Sequence, residues 1–225
     1  MITHHLRIIQ VLAKSIAVDG NSFGKIADDS MPFKRPTKSE AMSLGHRIRF
    51  ASVLLVLIPE NGEWCIALMK RPEYPGVHSG QISIPGGEEE DSDADSMETA
   101  LREFEEEMGI SIDRNAVFAQ MTERYIPPSQ FVVTPFLAVF EEEPIWEIDE
   151  TEVSEVLIVP VQNLLRNNAL ANTEIPMASG QVVTLPAYNI GGHVIWGATA
   201  IMLAEFVAAW KSSFSDPEAA TICPM

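Results

Sequence analysis

Pro85-Gly86-Gly87, followed after an acidic run by Thr99-Ala-Leu-Arg-Glu-Phe-Glu-Glu-Glu-Met-Gly-Ile110, is the stretch that decides how this chain is read. At about 100° per residue, a helix here gathers Met97, Ala100, Leu101, Phe104 and Met108 on one side, which must be the buried one. Glu103, Glu106 and Glu107 fall together on the adjacent side at i, i+3 and i+4 spacing, while Glu98 and Glu105 point to solvent. The acidic residues 91–95 suit the positive end of the helix, and Gly109 is its stop. Like charges at these spacings cost a few tenths of a kcal/mol each, and the edge of a buried face raises their pKa values further. A hard divalent cation relieves both, since Mg²⁺ takes carboxylate oxygens and keeps waters or phosphate oxygens in its shell. The competing reading is a solvated acidic face. The glycine turn weighs against it, because glycine lets backbone approach a metal closely, and so does Arg102 directly beside Glu103.

Outward from this segment, residues 51–58 and 64–69 are apolar runs separated by a stretch containing Asn61-Gly62, a strong hairpin signal. Residues 76–87 read as a long loop with short β-like pieces. Further β-like runs cover residues 116–121, 131–140 and 153–159, and a last helix covers 196–210. At the other end, Ile8, Val11, Leu12 and Ile16 recur at helical spacing and predict a helix that stops before Gly20; residues 20–43 read as a loop. Strands with one helix between them and another at the end make an α/β sandwich. The expected organisation is an N-terminal helix and connecting loop over 1–44, one α/β domain over 45–212 and a tail over 213–225.

A formal net charge of −17 argues against non-specific nucleic-acid or anionic-membrane binding. An anionic substrate stays open, because a divalent cation supplies the positive charge that the protein lacks. No stretch reaches the roughly 18 apolar residues that read as a membrane span. Cys65 lies in an apolar run and reads as a buried thiol, Cys223 lies in the tail, and neither fits a disulfide or metal spacing. The expectation is a cytoplasmic protein.

The central segment resembles the Nudix box, G-x5-E-x7-R-E-U-x-E-E-x-G-U, with Gly87 as its first residue. Arg102-Glu103-Phe104 gives R-E-U, and Glu106-Glu107-Met108-Gly109-Ile110 completes the pattern. Asp93 stands where the box has its first Glu, and Arg102 lies one residue further from Gly87 than usual. That longer spacing resembles the branch that hydrolyses coenzyme A, which also carries L-L-T-x-R-S-x3-R-x3-G-x3-F-P-G-G upstream. Arg71, Gly80, Pro85, Gly86 and Gly87 match in register; Met69, Pro72, Gly76 and Ile84 depart from it. Ile195-Trp-Gly-Ala-Thr-Ala200 is similar to a further segment of that branch, so the resemblance spans roughly Arg47 to Trp210.

The resemblance implies an α/β/α sandwich with a mixed sheet and Mg²⁺- or Mn²⁺-dependent hydrolysis of a nucleoside diphosphate-linked small molecule. It implies Glu103 and Glu107 as principal metal ligands, Glu106 as a further ligand and the Gly86 carbonyl as a fourth. Arg102 is expected to orient a glutamate by a bidentate pair. The general base is Glu103, or a glutamate of the later acidic loop and strand, Glu152 or Glu155. Arg71, His78, Ser79, Gly80 and Gly87 are the expected substrate contacts, with Arg71 the best partner for a 3′-phosphate and Lys70, His78 and Arg124 behind it. Tyr125 and Phe131 could stack on adenine or belong to the core. Coenzyme A or a derivative, cleaved to 3′,5′-ADP and (acyl)phosphopantetheine, is the leading substrate. ADP-ribose or NADH is the alternative, and a non-catalytic nucleotide sensor ranks below both. A homodimer is a family-level expectation.

Overall fold

The structure is a computed structural model that describes residues 2–32, 34–45, 47–73, 79–177 and 180–214. The chain begins with α1 (Ile2–Asp29) and a short α2 (Lys38–Ser43), then enters β1 (Arg49–Glu60) and β2 (Glu63–Lys70). Next come β3 (Ile82–Ser83), β4 (Gly86–Glu88) and α3 (Ser96–Met108). After α3 follow β5 (Val117–Gln120), β6 (Arg124–Ile126), β7 (Phe131–Val139), β8 (Glu155–Pro160) and α4 (Val161–Leu165). The last elements are β9 (Leu170–Pro176), β10 (Val182–Ile190), β11 (His193–Ile195) and α5 (Gly197–Ser213).

The β1–β2 hairpin forms where Asn61-Gly62 predicts it, with both turn residues at positive φ and Glu60 opposite Glu63. β1 is the spine of an eight-stranded mixed sheet. It pairs antiparallel with β2 and β4 and parallel with β7, in register from Arg49 opposite Phe131 to Leu57 opposite Val139. Period-2 alternation sorts the buried side chains of this spine. Leu54, Val56 and Ile58 of β1 meet Ala100, Leu101, Phe104 and Met108 of α3. Leu55 and Leu57 belong to the opposite core with Ile8, Leu12, Phe206 and Trp210 of α1 and α5. A strand buried on both faces reads as one continuous apolar run, as 51–58 does. The result is the expected α/β/α sandwich, with α3 packed on one face and α1 and α5 on the other.

Two expectations need correction. The first helix does not stop at Gly20 but runs on to Asp29. Burial of Phe23 and Ala27 extends the apolar stripe and overrides the roughly 1 kcal/mol helical cost of a glycine. Gly24 is there for packing: a Cβ would lie 2.4 Å from Thr122 Oγ1. Part of the 20–43 loop is likewise helical, since α2 starts at Thr37 with a full capping box to Glu40. The three-stranded sheet β11-β10-β9 was not anticipated; Pro176 and Pro186 obscure its strands. Among the described residues, no helix is long and apolar enough to cross a membrane.

Candidate active site

α3 is held at both ends. Asp95 caps its N-terminus by accepting from the Met97 and Glu98 amides, and Gly109 closes it in the left-handed conformation at φ 71°. Between these ends the expected apolar side packs on β1, and Met97 lies at its margin. The three glutamates beside that side are not equivalent. Glu107 is 1% exposed, Glu103 is half-buried and Glu106 is exposed.

The Pro85-Gly86-Gly87 turn explains the burial of Glu107. Gly86 sits at φ 147°, and a Cβ there would lie 2.2 Å from the Ser52 carbonyl oxygen. Only glycine fits against β1 here, and the Gly86 amide is thereby aimed at α3, donating to Glu107 Oε2 at 2.7 Å. Gly87 is equally close to Glu103, whose carboxylate oxygen would lie 2.2 Å from a Cβ on that residue. The glycine pair thus brings the backbone onto both carboxylates.

Arg102 departs from expectation in its partner. Its bidentate fork grips Asp93, with Nε to Oδ1 at 2.9 Å and Nη2 to Oδ2 at 3.0 Å. Glu103 and Glu106 each receive a single bond from Nη1 at 2.9 Å, and Nη2 also reaches the Glu88 carbonyl at 3.1 Å. Thr99 Oγ1 donates to Asp93 as well. The Arg102 guanidinium, followed by the Glu90 amide and the Thr99 hydroxyl, holds the Asp93 carboxyl down at about 2. Asp93 therefore ties the acidic loop to α3, and Arg102 links it to two glutamates.

Glu107 is electrostatically exposed in a different sense. Burial is the main force pushing its carboxyl up to about 8, opposed by Arg71 and the Gly86 amide and reinforced by the charges of Glu103 and Glu152. Glu103 is also raised, first by burial and further by Glu106 and Glu152, against the pull of Arg102. Arg71 Nη2 stands 3.4 Å from Glu107 Oε1. This contact has no signature in the sequence, because the two residues lie on different elements.

The loop after Trp146 is tied to the end of α3 by amides of Glu147 and Asp149 donating to the Met108 and Glu107 carbonyls. That places Glu152 in the electrostatic neighbourhood of Glu103 and Glu107. Glu155 instead pairs with His193 at 3.6 Å. Backbone bonds from Arg71 to Gln81 and from Gly80 to Pro72 close the neck of the preceding loop. Ser79 and Gly80 lie at this neck; His78 and Gly76 fall outside the described residues.

Arg124 is not a phosphate partner as expected. It is 5% exposed and bonded to Asp28 and Glu205. Tyr125 is core, buried with Ala41 and Val132, and Phe131 is covered by Arg49 at 4.2 Å. Cys65 is a buried thiol whose pKa desolvation raises to about 11. A cavity of about 450 Å³ borders Asp93, Arg102 and Arg114, but neither Glu103 nor Glu107 lines it.

The donors around Gly86 and Gly87 are all oxygen, the chemistry that hard divalent cations take. A cation among them would relieve two carboxylates that burial holds above their ordinary range. Among the described residues no three acidic side chains converge on one point; Glu107 and Glu103 are contacted by Arg71 and Arg102 instead. The residues fit a cation that displaces these arginine contacts.

Residues 48–178 match the NUDIX domain, more than half of the chain, and the chain belongs to that family. It is a Nudix hydrolase, a pyrophosphohydrolase of a class that works with divalent metal cations. The chain is 28% identical over 178 residues to the mitochondrial coenzyme A diphosphatase NUDT8 of Homo sapiens, covering 78% of this chain and 75% of that protein. It is 30% identical over 176 residues to the Nudix hydrolase NudL of Cronobacter sakazakii, covering 76% and 86%. A MutT/nudix family protein from Enterococcus faecalis shares the fold at a TM-score of 0.51 and 15% identity, over 83% of this chain and 74% of that one.

Proposed function

We propose that this Nudix hydrolase cleaves the diphosphate of coenzyme A or its derivatives, giving 3′,5′-ADP and (acyl)phosphopantetheine. The observation that carries the catalytic part is Glu107, a buried carboxylate with one backbone donor and an arginine at long range. The coenzyme A part is supported by the upstream match at Arg71, Gly80 and Pro85-Gly86-Gly87, and by likeness to the human diphosphatase.

In this reading Glu103 and Glu107, with Glu106 and the Gly86 carbonyl, hold Mg²⁺ or Mn²⁺. The bound cation supplies Lewis acidity and offsets the diphosphate charge. Water attacks one phosphorus and the other phosphate leaves with the bridging oxygen. Glu152 takes the proton from that water, with Glu103 as the other candidate. The mutual charges of Glu103, Glu107 and Glu152 favour Glu152 over Glu155, which lies with His193. Arg71, freed from Glu107, binds a phosphate of the substrate, alongside the backbone of Ser79, Gly80 and Gly87. Asp93 and Arg102 hold the acidic loop and α3 in register. Activity on ADP-ribose or NADH is the second reading, favoured by the absence of a second arginine at Gly76.

The test is product chromatography with Mg²⁺ or Mn²⁺ on coenzyme A, dephospho-coenzyme A, ADP-ribose and NADH, with Glu107→Gln as the blank. Preferential release of 3′,5′-ADP supports the proposal. Preferential cleavage of ADP-ribose or NADH keeps the site and discards the substrate.

A further inference from the structure

Four buried side-chain atoms have no hydrogen-bond partner among the described residues: Arg35 Nη1, Ser83 Oγ, Arg124 Nε and Ser213 Oγ. Burying a polar atom unpaired is unfavourable, so each calls for an explanation. Three of them belong with α1 and α5. Arg124 bonds Asp28 and Glu205, Arg35 lies in the electrostatic neighbourhood of Arg124 and Asp28, and Ser213 ends α5. Ser83 of β3 does not. Ile82 and Ile84 on either side of it pack in the core under α1 and α5, so alternation along the strand turns Ser83 to the α3 face. Its cross-strand partner, Met69, packs on that face too.

The neighbours of Ser83 on that face are the groups that hold Glu107. Gly86, next but two along the chain, donates its amide to Glu107 Oε2 at 2.7 Å. Arg71, next but one after Met69, reaches Glu107 Oε1 with Nη2 only at 3.4 Å, longer than an ordinary N–H···O bond. The Arg71 amide donates to the Gln81 carbonyl at 3.0 Å and continues the β2–β3 ladder. Arg71 and Ser83 are therefore diagonal neighbours, a separation that a long side chain spans. A hydroxyl without a partner stands beside a guanidinium with a loose one. A guanidinium carries five N–H donors and a hydroxyl two acceptor lone pairs. Ser83 can thus hold one N–H of Arg71 and leave its fork free for a phosphate.

We propose that Ser83 is a positioning residue for Arg71. Once Glu107 turns to a cation, the Arg71 guanidinium moves onto Ser83 Oγ, which accepts one N–H and holds the rest towards the diphosphate. This rests on the reading of Glu107 as a cation ligand and of Arg71 as a phosphate partner. In the metal-free protein, Ser83→Ala removes an unpaired hydroxyl, so its Tm should equal or exceed that of the wild type. The rise in Tm on adding Mg²⁺ should be smaller in Ser83→Ala than in the wild type, and the same in Arg71→Gln with or without Ser83→Ala. The kinetic arm uses whichever of coenzyme A, dephospho-coenzyme A, ADP-ribose and NADH the wild type cleaves. There Ser83→Ala should raise KM about 3–10-fold with kcat nearly unchanged, and should add nothing in Arg71→Gln. A lower metal-free Tm in Ser83→Ala would make Ser83 structural and overturn the proposal, as would equal Mg²⁺-induced rises in Ser83→Ala and the wild type. An unchanged KM in Ser83→Ala beside a raised one in Arg71→Gln would also overturn it. So would a KM effect that persists in Arg71→Gln, which would put the hydroxyl on the substrate itself. A wild type with no Mg²⁺-dependent cleavage or Tm shift, or Arg71→Gln with an unaltered KM, would instead remove the cation site or the role of Arg71, and that of Ser83 with it.

Discussion

Glu107 of α3 and Glu205 of α5 are both buried, at 1% and 2% exposure, each beside an arginine. They are not alike in what surrounds them. Glu205 accepts from the Thr122 amide and hydroxyl at 2.9 and 2.7 Å and from Arg124 at 2.6 Å. Arg124 in turn holds Asp28 and the Gly24 carbonyl, so α1, β6 and α5 meet at one ion-paired node. Glu107 has the Gly86 amide and a distant Arg71. One carboxylate has its lone pairs filled by the fold; the other keeps capacity for something the fold does not contain. The difference separates a structural buried charge from a functional one.

That contrast breaks most readily at Glu205. Glu205→Gln leaves Arg124 buried with half its compensation, and should cost about 3–5 kcal/mol of unfolding free energy in urea titration. Turnover per folded molecule should be unchanged; a loss under about 1 kcal/mol would make the node dispensable. Glu107→Gln should behave the opposite way. It should lower kcat by at least about 100-fold, equivalent to roughly 2.7 kcal/mol, with no loss of thermal stability at pH 8.

A smaller effect is expected at Asp93. Its folded pKa, about 2, lies below the ordinary 3.8, so the unfolded chain binds more protons and stability rises with pH across that window. The contribution is full above about pH 4 and is lost as pH falls through about 2. Asp93→Asn should lose roughly 2 kcal/mol at pH 7 and show a flatter stability profile below pH 4. Glu107 has the reverse sign. Its folded pKa, about 8, exceeds the ordinary 4.5, so its contribution to metal-free stability falls as pH rises from about 4.5 to 8. Mg²⁺ should therefore raise Tm more at pH 8 than at pH 5.5, by about 2–4 °C per kcal/mol of difference. Equal shifts at both pH values, or the same excess in Glu107→Gln, would remove Glu107 from the cation site.

α3 was legible almost entirely, because periodicity, Asp95 and Gly109 all point to one helix. The inequality of its glutamates was legible too, though it needs a finer use of the wheel. Measured from Phe104, Glu107 lies about 60° away, Glu103 about 100° and Glu106 about 160°, which is the order of their burial. Partners across elements were not legible: nothing local says that Arg71 faces Glu107 or that Arg124 is enclosed by α1 and α5. Gly20 reads as punctuation because glycine's local preference is visible in the sequence, whereas the tertiary contact of Gly24 with Thr122 that continues the helix is not. The β9–β11 sheet was hidden by its prolines and exposed positions, although Gly191-Gly192 marks its last turn.

α1 and α5 occupy the same layer, and the parallel β1–β7 pairing encloses everything from β2 to β6. A ribosome delivers such a chain in order, at about 5–20 residues per second. The stripe of Ile8, Leu12, Ile16 and Phe23 is therefore synthesised before any of its α5 partners exists. Contacts so distant along the chain close slowly, which leaves that stripe without its α5 partners, open to chaperones or to other nascent chains, for roughly 10–35 seconds. Of these two packed helices, α1 is made long before the partner that covers it.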